Sequence, residues 1–571
     1  MHNEMAVRRK TIKRILLVLV LCLVAFLLYF ILVAVDHPPE VQDLSSLDSN
    51  REQHGKYLYT LGNNWLRKSE SGLWEMYIEG ESFERGVAFG KLTKELLYYQ
   101  ESAFFEQIQE LVPSQAYLKF LKYFLAWFNR NLDKNITDEY RTEIYGTSFS
   151  CSHEFDFIGS GYQRQLNYHA AHDIGHALQG LNMVGCTSFA CWGSKSADST
   201  LLVGRNFDFY AGKKFAENKI ICFYNPSDGY RFMMVSWADM IGVVSGMNEK
   251  GLTVTINAAK SAVPRQASTP VTLLAREILQ YAANLDEAYT IAGKRKLFVS
   301  ESLLIGSVKD GKSAIIEKSP HQEDMFSVSA DCIVCANHFQ GKVFSHEKAN
   351  ISNIKGSDSR YRYDRVKELL QNDTRIDVND AVAILRDRYG KGGVDLGMGN
   401  PMAVNQLIAH HSVVFKPGQQ MVWVSTSPYQ IGKYVAYDLK RVFSLDKEQI
   451  ITGEEICVEE MIIPADTFLF SDEYQNYKKY LQMTEELKFC KKNKTALPDS
   501  FLRVYLTTNP HLYLPYYYLG SYFYEMKDYA KAYDYYQAAL SKEVAGLNKR
   551  NEIIKLSEKT YKKIHNANTG N

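Results

Sequence analysis

The chain has 571 residues, enough for one large domain with appendages at roughly 100–200 residues per domain. Hydrophobic residues make up 46% and charged residues 23%, a globular balance rather than a disordered one. Lys and Arg number 66 against 65 acidic residues, a net charge of +1. There is thus no basic field to draw nucleic acid and no acidic tail. At the N-terminus, Arg8, Arg9, Lys10, Lys13 and Arg14 stand against Glu4 alone in residues 1–14. Residues 15–35, ILLVLVLCLVAFLLYFILVAV, then carry no charge. A spanning helix needs about 20 apolar residues, and a signal-peptide core only about 7–15 followed by a small-residue cleavage site. The run ends in VDHPPE, a poor cleavage site, so the expectation is an uncleaved signal anchor. Its basic tail would stay in the cytoplasm and the rest of the chain outside; a cleaved signal peptide is the alternative.

Residues 36–70 are polar and read as a stalk or linker. Residues 71–185 predict a strand followed by helices, with Leu92, Leu96 and Leu97 at helical spacing. From Cys186 the pattern turns to strands at 201–210, 231–238 and 241–247. NEKG at 248–251 is a tight turn into LTVTINA. A helix is expected to open at Thr269–Pro270. Two strands flank KDG at 309–311, and DCIVCANHF is another strand. Residues 358–390 are helical, and HSVVFKPGQQMVWVS is a hairpin. Many strands interrupted by helical stretches imply sheets covered by helices. Residues 466–571 are helical. Leu519, Gly520, Phe523, Ala532, Tyr536 and Ala539 sit at the small and large positions of a tetratricopeptide-type pair over 513–545. A plain helical extension is the alternative, and either could hold a protein partner.

Of nine cysteines, Cys22 lies in the apolar run, and the others show no disulfide framework. Cys332 and Cys335 form a lone CxxC without a second pair, so they read as structural thiols rather than a metal or redox site. His169, His172 and His176 fall in a predicted helix. The last two are one turn apart, a zinc spacing that lacks the glutamate of the protease motif. A packed histidine cluster, or one that shapes the neighbouring chain, is the other reading.

One stretch, NMVGCTSFACWGS at 182–194, poses a chemical question. If the Gly185–Cys186 bond were cut, Cys186 would carry a thiol and an α-amine together. An α-amine with a pKa near ~8 can take the thiol proton. A glycine before the nucleophile leaves its carbonyl open to attack. Read with GRNFD, NEKGLTVTINAA, CANHF, SRYRYDRV and HSVVFKPGQQMVWVSTSP, the stretch resembles the N-terminal-nucleophile hydrolases. The likeness is nearest to the peptidase C45 group, which includes the acyl-coenzyme A:6-aminopenicillanate acyltransferases, with choloylglycine hydrolases and acid-ceramidase-like enzymes more distant. It spans about residues 75–440.

The resemblance implies an α+β, four-layer αββα fold with its core over 186–465. It also implies self-cleavage between Gly185 and Cys186, and roles for the matching residues. Cys186 would be the nucleophile. Arg205 would lower the thiol pKa, and Asp208 would hold the new α-ammonium. Asn257 and Asn337 would orient the α-amine and donate to the oxyanion. Arg362 would be the distal arginine, with Arg360 as rival. No cofactor and no metal are implied. The expected substrate is a small N-acyl amide, hydrolysed through a thioester. An acyltransferase on the same site and a non-catalytic membrane-tethered scaffold are the competing functions. An active site outside the cytoplasm disfavours coenzyme A as donor.

Overall fold

The computed structural model describes residues 2–34, 36–111, 114–177, 185–209, 212–260, 267–372 and 375–568. Its first helix, His2–Ala34, contains the apolar stretch Thr11–Phe30, with a mean hydropathy of 2.6. That stretch is long and apolar enough to cross a membrane. Most of its side chains are exposed; Phe26, Tyr29 and Phe30 meet Trp127, and Phe30 also meets Tyr123.

The fold mixes helices with two sheets. Among the described residues, one sheet has eleven strands and the other six. Residues 52–68, expected to be stalk, are instead three short strands at the edge of the larger sheet, Glu52–Gln53, Leu58–Leu61 and Asn64–Lys68. Their apolar residues are few, but Leu61, Trp65 and Leu66 are all buried. The strand Trp74–Gly80 follows and pairs in parallel with Ile220–Pro226, the one parallel pair among the described strands.

Local chemistry explains most of the remaining elements. At the NEKG turn the Asn248 side chain accepts from the backbone N–H of Lys250 and of Leu252, both at 3.0 Å. Gly251 takes a φ of +76° there, which L side chains rarely adopt. Ser245–Asn248 and Leu252–Ala259 form the resulting hairpin; the strand expected from 241 starts four residues later. The helix after Thr269 is Val271–Tyr281, with Pro270 at the cap position rather than in the first turn. The stretch expected to be helical over 358–390 is two helices, Ser359–Asn372 and Val378–Leu385. The second opens on a reciprocal Asp377–Asp380 cap.

Among the described residues, three apolar cores involve the sheets. One joins residues of both sheets, with Ile221, Phe223 and Met233 of the larger meeting Val203, Val413 and Phe415 of the smaller. A second packs helical Phe89, Leu97, Ile144 and Leu274 with Met76, Ile256 and Ile305 of the larger sheet. The third sets Val366, Val382 and Leu385 against Phe189, Leu202 and Val414 of the smaller. Five helices close the chain: Asp472–Asn493, Asp499–Thr508, Tyr513–Glu525, Tyr529–Leu540 and Leu547–Asn568. Gly520 lets the third approach the fourth, since a Cβ there would sit 2.7 Å from the Tyr536 ring.

Candidate active site

The strand Thr187–Cys191 pairs antiparallel with Leu202–Phe207, and the register sets Ser188 opposite Arg205. Side chains alternate along a strand, so Cys186 shares a face with Ser188 and is the diagonal neighbour of Arg205. Accordingly Arg205 Nη2 donates to the Cys186 Sγ at 3.6 Å. The same guanidinium crosses to the larger sheet, donating to the Val244 carbonyl, the Ser245 hydroxyl and the Ile256 carbonyl. Arg205 is fully buried and ties the sheets together beside the thiol.

Cys186 is fully buried as well. Burial pushes its thiol pKa up; Arg205 pulls it down and Asp208 pushes it up again, and burial prevails. In the intact chain the thiol is therefore held protonated, and the lowering expected from Arg205 alone is outweighed. The Asp208 carboxyl is pushed up to about 7 by burial, against the pull of Arg362 and then Arg205. Among the described residues Arg205 and Asp208 form no direct ion pair. Asp208 Oδ2 accepts from Gln406 Nε2 at 3.3 Å, while its Oδ1 has no partner among the described residues.

The remaining expected residues gather around this pair. Asn257, on Leu252–Ala259, donates to the Cys335 carbonyl at 3.3 Å and accepts from the Ser188 hydroxyl at 2.9 Å. Asn337 donates to the Ala258 carbonyl at 2.9 Å and accepts from Arg362 Nη2 at 2.6 Å. Each amide nitrogen carries a second hydrogen. Arg362 is buried and also donates to the Thr187 hydroxyl at 3.2 Å and the Pro401 carbonyl at 2.8 Å. Arg360 points outward and pairs with Asp364 at 2.9 Å. The geometry thus brings Arg362, and not Arg360, to the nucleophile strand.

Sequence reading missed Gln406. Its Nε2 donates to the Gly185 carbonyl at 2.7 Å. It lies 221 residues from Gly185 in the chain, and nothing in NQLIAHH marks it. His411 was also missed: its Nε2 meets the Ser245 hydroxyl at 2.8 Å, and its Nδ1 lies 2.9 Å from that of His410. Burial holds both rings neutral.

Among the described residues no geometry gathers a metal site. Cys332 and Cys335 are three apart on one strand, so they face opposite sides; one joins the core over the smaller sheet and the other the core between the sheets. His169 Nδ1 donates to the Gln165 carbonyl at 2.7 Å and Nε2 accepts from the Ile241 N–H at 3.0 Å, which spends both ring nitrogens. Burial lowers its pKa to about 4. The side chains of His172 and His176 lie outside the described residues.

Residues 194–394 match the family described as acyl-coenzyme A:6-aminopenicillanic acid acyl-transferase. This is the family the motifs resemble. The matched stretch contains Arg205, Asp208, Asn257, Asn337 and Arg362, and begins after Cys186. No curated protein matches the chain. Among solved structures, the Caenorhabditis elegans ortholog of N-acylethanolamine-hydrolyzing acid amidase is 18% identical, with a TM-score of 0.30. The match covers 41% of this chain and 93% of that one. A mutant conjugated bile acid hydrolase from Clostridium perfringens is 14% identical, with a TM-score of 0.32 and coverage of 48% and 96%. These likenesses carry no weight for the chemistry.

Proposed function

We propose that the chain is a membrane-anchored, self-processing cysteine amidase that cleaves a linear N-acyl amide through a thioester on Cys186. The observation that carries this reading is the Arg205–Cys186 contact at 3.6 Å, with Asp208 and Arg362 buried around it. Once the Gly185–Cys186 bond is cut, the new α-amine of Cys186 serves as base for its own thiol, and Asp208 is the carboxylate that holds it as an ammonium. Asn257 and Asn337 supply the amide donors that orient the amine and stabilise the oxyanion, typically worth ~3 kcal/mol each. Water then releases the acyl group.

The shared cores support an αββα layering of the 186–465 region. The uncharged run of residues 15–35 is the anchor, with residues 1–14 cytoplasmic and the catalytic body outside. The family match supports a second reading, in which an amine replaces water and the product is a new amide.

Denaturing electrophoresis tests the first step. Purified protein should give two bands, the larger starting CTSFACWG, and Cys186→Ala should give one uncut, inactive chain. An active protein with an intact Gly185–Cys186 bond would sink the mechanism, because the α-amine would never be exposed. Product analysis with and without an added amine separates hydrolysis from transfer.

A further inference from the structure

We infer that Gln406 is the oxyanion donor for the chain's own cleavage, separate from the amides that would serve turnover; this rests on the self-processing reading above. Of the site amides, only Gln406 donates to the carbonyl that must be attacked. Its Nε2 is 2.7 Å from the Gly185 oxygen, whereas Asn257 and Asn337 donate to the Cys335 and Ala258 carbonyls. An amide nitrogen has two hydrogens, and the second goes to Asp208 Oδ2 at 3.3 Å. One group therefore holds the scissile carbonyl and the future ammonium acceptor in fixed relation. The Gly185 N–H donates to the Asp208 carbonyl at 2.9 Å, which fixes the peptide from its other side.

A second observation comes from Gly185 itself. A Cβ there would lie 2.5 Å from Gln406 Nε2, 2.7 Å from its Oε1 and 3.0 Å from its Cδ. A side chain at 185 would therefore make this amide move, and with it the donor that faces the carbonyl.

In the cleavage, Cys186 Sγ bonds to the Gly185 carbonyl carbon and negative charge develops on the oxygen facing Gln406. The Gly185 C–N bond then breaks, and the thiol proton ends on the Cys186 nitrogen. Water adds hydroxyl to the carbonyl carbon and a proton to sulfur, and the resulting Gly185 carboxylic acid gives its proton to the new Cys186 amine, leaving a carboxylate and a free N-terminal cysteine as its ammonium. No redox partner is needed.

The test follows full-length protein made by cell-free synthesis with detergent, pulse-labelled and chased, with the cleavage rate read from denaturing gels. Gln406→Ala and the near-isosteric Gln406→Glu should each slow cleavage by about 100-fold or more, the usual effect of removing one oxyanion donor, in chains that still unfold cooperatively. Gly185→Ala should slow it as well, and adding Gln406→Ala should cost nothing further, because both changes remove one interaction. A purely structural role for Gln406 would make the two losses additive. Wild-type rates in both Gln406 variants would overturn the inference and leave self-cleavage standing. An uncut wild-type chain, with Cys186→Ala indistinguishable from it, would overturn both.

Discussion

Asp208 should be a liability to the folded chain. Its carboxyl titrates at about 7 against an ordinary value of 3.8, because burial outweighs the pull of Arg362 and Arg205 and the Gln406 hydrogen bond. Between those two pH values the folded state holds a proton that the unfolded state has released. Stability therefore falls as pH rises, by about 1.4 kcal/mol per pH unit, and levels off above the folded-state value. Over roughly three pH units the loss is on the order of 4 kcal/mol. Asp208→Asn cannot ionise, yet its carbonyl can still accept from Gln406, so it removes the loss. The assay is urea unfolding of the uncut Cys186→Ala chain with and without Asp208→Asn. Near pH 4 the two should unfold alike, and above about pH 7 the Asn variant should be more stable by on the order of 4 kcal/mol. The same change in the otherwise native chain should abolish cleavage or turnover. An Asn variant with the pH slope of the parent would refute the assignment, since this carboxyl's share of the slope would then be absent.

The two arginines of SRYRYDR should part sharply. Arg360→Ala loses an exposed i,i+4 pair with Asp364 and should cost no more than ~1 kcal/mol, with cleavage at the native rate. Arg362→Ala removes bonds to Thr187, Asn337 and Pro401 and should cut processing severely; equal behaviour in a gel assay would contradict the placement. Glu143 is buried between Arg85 at 2.9 Å and Arg276 at 2.8 Å. Glu143→Ala strands the buried Arg276 cation and leaves Arg85 with Glu139 as its carboxylate partner, and it should cost about 3–5 kcal/mol in denaturant unfolding; a loss under ~1 kcal/mol would mean the Arg276 charge is solvated. A reporter fused after residue 40 should be active only outside the cytoplasm, and activity inside would reverse the topology and restore coenzyme A as a donor.

What could be read from sequence was what neighbours in sequence decide. The strand hairpins at NEKG and KDG have their turn chemistry in the turn itself. The Arg205–Cys186 contact follows from one antiparallel register over about twenty residues. Asn257, Asn337 and Arg362 were legible only as parts of an ordered set of motifs, because each alone is an unremarkable polar residue. Gln406 was not legible. Its bond to Gly185 depends on how the segment before the strand His411–Lys416 folds back over the nucleophile strand, and no local pattern records that. The strands over 52–68 were hidden for a related reason: so few apolar residues are enough only because Trp74–Gly80 offers an edge to pair with.

The C-terminal helices bear on the same point. The segment 396–407 lies between them and the active site. Leu396, Met402, Ala403 and Leu407 join a core with Tyr477, Tyr505, Leu512 and Tyr536. Asn509 clamps the Met398 backbone from both sides, accepting from its N–H at 3.0 Å and donating to its carbonyl at 2.8 Å. Gly397 sits so close that a Cβ would meet the Leu512 backbone nitrogen at 2.2 Å. From the other side, the same segment delivers the Pro401 carbonyl to Arg362 and the Gln406 amide to Gly185. A tethered scaffold would carry these helices as a separable part, whereas the packing makes them the support of a site segment. Deleting residues 466–571 should therefore slow or abolish cleavage along with destabilising the chain. Asn509→Ala, which leaves the helices in place and strands a partly buried backbone pair, should cost about 1–3 kcal/mol and slow cleavage in proportion to how far Gln406 drifts. Cleavage at the native rate in the deleted chain would show that the segment holds its shape unaided, and would return the helices to the role of a separable module.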